Sequence, residues 1–118
     1  MTMPEAFLRY PASIPCYEAV CGHILAAFPE ATIKVSRTQT AFVRGVQFAW
    51  LSPPRRKADA GCVTLSFALP ERVRSPRVFA SAEPYPGRFM HHMLLRATEV
   101  LDEECLAWLA RAWQFAQR

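Results

Sequence analysis

Apolar residues recur along this chain with two different periods, and the changes of period divide it into elements. After Ser13, residues Tyr17, Val20, Cys21, Ile24, Leu25 and Phe28 fall at i, i+3, i+4, i+7, i+8 and i+11, which is one stripe of a 3.6-residue helix. Ser13 is a good N-cap, Pro15 sits in the first turn where its missing N–H costs nothing, and Pro29 stops the helix. From Ala31 the period drops to two. Ile33 and Val35 oppose Lys34 and Ser36, as a half-buried strand requires. Residues 38–43 are rich in β-branched and aromatic side chains, Arg44-Gly45 offers a tight turn, and Val46, Phe48 and Trp50 alternate with Gln47 and Ala49, which predicts a hairpin. Val63, Leu65, Phe67 and Leu69 alternate with Thr64, Ser66 and Ala68 over a further strand.

Residues 70–86 hold four prolines and are expected to be mostly loop, because proline cannot donate to a central ladder. Residues 88–96 alternate again with both faces apolar, the pattern of a central strand. A last helix follows. Asp102, Glu103 and Glu104 lie at its start, Arg111 and Arg118 lie towards its end, and Cys105, Trp108, Leu109, Ala112, Trp113 and Ala116 make its apolar stripe. Two striped helices need a common apolar surface, and a sheet between them supplies one. The expected fold is α+β: an N-terminal helix, an antiparallel sheet of about four to five strands and a C-terminal helix, with both helices on one face. With 118 residues the chain is read as a single domain, 1–118, in which 1–12 is an N-terminal extension.

Composition narrows the class. Apolar residues make up 52% of the chain and charged residues 20%, the balance of a packed globule. No apolar run approaches the roughly 18 residues that span a bilayer, and the N-terminus lacks the pattern of a signal peptide. No membrane role is expected. Cys16, Cys21, Cys62 and Cys105 form no Cys-x-x-Cys pair, so the reading is four reduced thiols in a cytoplasm, with no metal site and no cofactor. Net charge is +4, which suits an anionic ligand or an acidic partner, but the charge is dispersed along the chain and points only weakly to nucleic acid. The dense run Arg55, Arg56, Lys57 is read as a solvated loop tip rather than a phosphate site.

Candidate chemistry concentrates in residues 83–92, which place Glu83, Tyr85, Arg88, His91 and His92 on a proline-flanked turn that feeds a strand. The rigid backbone there leaves little entropy to lose on binding. A second polar knot, Ser36, Arg37, Thr38, Gln39 and Thr40, lies between the first strand and the hairpin, with the Arg37 fork suited to an anion. The candidate ligand-binding residues are therefore Ser36, Arg37, Gln39, Tyr85, Arg88, His91 and His92. Adjacent strand residues point to opposite faces, so His91 and His92 cannot serve the same site. The bland readings are that Tyr85 packs over the sheet edge, Arg88 pairs with Glu83, and the 36–40 knot decorates a solvated edge. No Gly-rich phosphate loop, nucleophile elbow or zinc-protease motif occurs.

On the 36–39 segment, the Glu-Pro-Tyr-Pro-Gly-Arg turn at 83–88, the His91-His92 pair and the closing helix at 101–115, the chain resembles a family of small uncharacterised bacterial domains. That family looks related to YdhG-like domains, also described as frataxin-like, which implies the same sheet and terminal helices. An iron-handling role would need surface carboxylates, and the chain has ten acidic residues against fourteen basic ones. Three readings stand: a binding module with an anion-compatible polar pocket, an enzyme in which a histidine of 83–92 moves a proton beside a carboxylate such as Glu83, and an interaction domain acting as monomer or homodimer.

Overall fold

The structure, a computed structural model, describes residues 3–96 and 101–116; residues 1–2 of the N-terminal segment and Arg118 of the closing helix lie outside them. Helix α1 (Ile14–Ala27) is followed by β1 (Thr32–Val35), β2 (Thr40–Arg44), β3 (Val46–Ser52), β4 (Cys62–Leu69), β5 (Val78–Tyr85) and β6 (Arg88–Arg96), and α2 (Glu103–Phe115) closes the chain. The strands form one antiparallel sheet in the order β1-β2-β3-β4-β6-β5. The fold is α+β, with six strands where four or five were expected.

The extra strand is β5. Residues 70–77 are loop as expected, but 78–85 pair with β6 at the sheet edge, with the register broken between Ala82 and Tyr85. Pro84 is tolerated in that break, since an edge strand lacks a second neighbour for it to serve. Gly87, in the two-residue turn between Tyr85 and Arg88, has φ 74°, a conformation that glycine takes without a steric cost.

The chain enters α1 through 3-10 turns at Glu5–Arg9 and Pro11–Ser13, so Ser13 is already helical and its hydroxyl makes no cap. It accepts instead from Gly61 N–H at 3.0 Å, which ties the helix to the loop before β4. Phe7 of the first turn is fully buried with its ring 4.8 Å from Tyr17, so the segment expected to extend from the domain carries a core residue. The buried face of α1 is Cys16, Tyr17, Val20 and Ile24, with Cys21, Leu25 and Phe28 at its margin. It is therefore Cys16, not Cys21, that is the fully packed thiol, its Sγ directed at the Leu95 carbonyl. At the other end Asp102 caps α2 by accepting from Cys105 N–H at 2.9 Å.

Every residue of β4 is buried. On one face its Val63, Leu65, Phe67 and Leu69 join Phe42, Leu51, Met93 and Leu95 in a single core with the stripes of both helices. A bulge in β3 inserts Phe48 opposite the break between Phe42 and Val43, and its ring packs edge-on against Phe28 and Trp113. On the other face Ala41, Trp50 and Ala68 form a second cluster with Val43 and Met90 at its margin, and no helix residue takes part. One face of the sheet is thus thatched by helices; the other is open only in that no helix covers it, its centre being buried and the 53–61 loop held onto it where Thr64 Oγ1 donates to the Pro53 carbonyl at 3.1 Å.

Candidate functional site

The open face has a polar row through its centre. Trp50, Ser66 and His92 are register partners on β3, β4 and β6. Ser66 Oγ and His92 Nδ1 lie 2.7 Å apart. Trp50 donates its indole N–H to Gln47 Oε1 at 2.8 Å, and the backbone carbonyl of Gln47 accepts from the Arg88 guanidinium at 3.2 Å. This chain of bonds fixes Arg88 at the rim of a groove of about 570 Å³ that is also lined by Lys34, Val43, Gln47 and Tyr85. At the opposite end of the face a second hollow, about 390 Å³, is lined by Arg55, Arg56, Asp59, Phe79 and Leu94.

The residues expected to form one site are distributed over three places. Tyr85 and Arg88 share the larger groove, and His92 lies on the same face between the two hollows. Ser36 and Gln39 close the β1–β2 turn on each other: Ser36 Oγ donates to the Gln39 carbonyl at 2.9 Å and accepts from Gln39 N–H at 3.2 Å. Arg37 points away into a hollow shared with Arg9 and Leu8, where it pairs with Glu5 at 3.2 Å. His91 lies on the helix-covered face, fully buried, with its ring stacked 5.0 Å from Phe67, which stacks in turn on Trp108 at 5.6 Å. Its Nε2 accepts from Val73 N–H at 2.9 Å, which places its proton on Nδ1, an atom without a hydrogen-bond partner.

Arg88 does not pair with Glu83. Glu83 is turned into the hairpin, accepting from Gly87 N–H at 3.0 Å, so it is not beside either imidazole. Burial pushes both His91 and His92 below the ordinary histidine range, and for His92 the Arg55 charge adds to it. His92 is therefore a neutral imidazole at pH 7, able to accept a hydrogen bond from a ligand or to donate one. Among the described residues no group of three or more His, Cys, Asp or Glu side chains could hold a metal ion.

Lys34, Gln47, Ser66 and Phe79 line this face without having been singled out from sequence. Only the strand order brings them together: Lys34 and Phe79 come from β1 and β5, at opposite edges of the sheet. Alternation did carry a signal for Ser66, which with Thr64 is one of two polar residues inside an otherwise apolar strand.

The sequence profile of a family described as a domain of unknown function, DUF5655, matches residues 5–116. The chain belongs to the DUF5655 family. The matched span takes in both helices, all six strands and the first 3-10 turn, so this DUF5655 domain includes Phe7 and the whole open face. No curated protein and no solved structure matches it.

Proposed function

We propose that this DUF5655 domain is a binding module that takes an anionic ligand on the open face of its sheet, at the groove between Lys34, Gln47, Tyr85 and Arg88. The observation that carries this reading is that Lys34 and Arg88 border one groove and, among the described residues, pair with no carboxylate. A cation held beside a groove without a counter-charge attracts an anion, and an arginine oriented by a carbonyl offers a preformed fork to a phosphate or carboxylate. Tyr85, two-thirds exposed, adds an aromatic wall. We place the module in a reducing cytoplasm, where cysteine thiols such as its four stay reduced. Two terminal helices on one face of the sheet also support kinship with YdhG-like domains.

Thermal unfolding in the presence of inorganic phosphate and nucleoside monophosphates tests the site. A ligand that binds the folded state raises Tm by mass action. The expected result is a shift in wild type that is lost in Lys34→Ala/Arg88→Ala and kept in Arg37→Ala, whose guanidinium is already paired. An equal shift in all three proteins would place the anion elsewhere.

A further inference from the structure

We infer that the ligand of the open face is single-stranded nucleic acid, lying along β5 and β6 from the Tyr85–Arg88 groove to the Phe79–Arg55 hollow. The inference rests on the anion-binding reading and names its substrate class. Its first support is repetition. Each end of the face combines an exposed aromatic ring with a cation free of carboxylates: Tyr85, 66% exposed, beside Arg88 and Lys34, and Phe79, 46% exposed, beneath Arg55, whose guanidinium lies 5.2 Å from the ring centroid. Bases stack on aromatic rings and on guanidinium planes, and cations track the phosphates between them. Phe79 and Tyr85 lie near the two ends of β5, and the β6 register between Ala80↔His92 and Tyr85↔Arg88 sets them about 15 Å apart at ordinary strand rise, a span for more than one nucleotide rather than one small anion.

The second support is the distribution of charge. On the helix-covered side two cations are neutralised: Arg77 pairs with Asp102 and Glu104, each at 2.9 Å, and Arg111 with Glu71, while Arg72 packs over the Phe89 ring. On the open side the two nearby carboxylates are engaged, Asp59 by Arg56 at 3.1 Å and Glu83 by the Gly87 N–H. Arg55, Arg88 and Lys34 are left to face solvent chemistry of the opposite sign. Between the hollows, half-buried His92, neutral and bonded through Nδ1 to buried Ser66, leaves its Nε2 edge for a base. An acidic peptide would satisfy the cations but give the two rings nothing to stack on.

Fluorescence anisotropy of a labelled oligothymidylate and a labelled oligouridylate, each of about ten nucleotides, tests the inference in the full chain. The expected result is binding at least tenfold tighter than that of a nucleoside monophosphate, with log K falling against log salt at a slope of about −2, as three phosphate contacts on a single strand give. Arg55→Ala, on the exposed loop, should flatten that slope by about 0.7, and Phe79→Ala should weaken binding by about tenfold. If monophosphates bind through Lys34 and Arg88 but the oligonucleotides bind no tighter, or neither variant weakens them, the nucleic-acid inference falls and the anion site stands. If neither class binds, both readings fall. Equal competition by duplex DNA or polyglutamate would overturn the inference in favour of a general polyanion surface.

Discussion

The two histidines show how one residue step decides a role. His91 faces the core, where its ring continues the stack of Phe67 and Trp108 and its Nε2 anchors the Val73 backbone; His92, one position on, faces the open side and Ser66. Both are held neutral by burial, with Arg111 and Arg72 near His91 and Arg55 near His92 acting in the same direction. The unfolded chain takes up these protons near pH 6.5, whereas the folded protein resists them. The stability they contribute is thus complete above that pH and is lost as pH falls towards the lowered folded values. The urea midpoint should be lower at pH 5.5 than at pH 7.5, and His91→Gln/His92→Gln should flatten that difference; a wild-type midpoint independent of pH over this range would refute the account. That the two imidazoles part company was legible in the sequence, because strand alternation requires it. Which of them faced the core was not, since both sides of β6 are apolar and the choice depends on where the helices dock.

Among the elements, β3 carries the least legible detail and a large share of the core. Strict alternation sends Phe48 and Trp50 to one face, yet the bulge turns Phe48 to the helix side, between Phe28 and Trp113, and leaves Trp50 on the open side. Phe48 is 1% exposed, and its truncation in Phe48→Ala should cost about 3–5 kcal/mol of unfolding free energy. Chemical denaturation would measure it, and a loss below about 1 kcal/mol would mean the aromatic cluster is not what closes this end of the core. Both helices, β1 to β4 and β6 could be read from period and punctuation. β5 could not, because the prolines that mark it as breakable in sequence are acceptable at an edge, and edge position is a property of the assembled sheet. The same gap hid Phe79: a residue assigned to a loop gives no face to look on. Tyr85 and Arg88 were visible as a local cluster, whereas their partner Lys34 arrives from the far edge.

At the scale of the molecule, charges that are dispersed along the sequence meet specific partners. The acidic start of α2 takes up Arg77, and Glu71 takes up Arg111, whereas Lys34, Arg55 and Arg88 on the face without helices pair with no carboxylate among the described residues. Among the described residues no helix is long and apolar enough to cross a membrane. An open face and two free edges raise the question of self-association. Sedimentation velocity should show a single monomeric species across the accessible concentration range, and a concentration-dependent dimer would show that the open face or an edge is shared between copies instead. The reason to expect a monomer lies in the rims. β1 is four residues long and carries Lys34, and β5 holds Glu83 and Pro84 just before its last residue, a charge followed by a residue with no N–H to offer. Pro84, one of the prolines that concealed this strand from a reading of the sequence, therefore also works against growth of the sheet: a second chain approaching this rim would meet an interrupted ladder, a poor template for fibril formation.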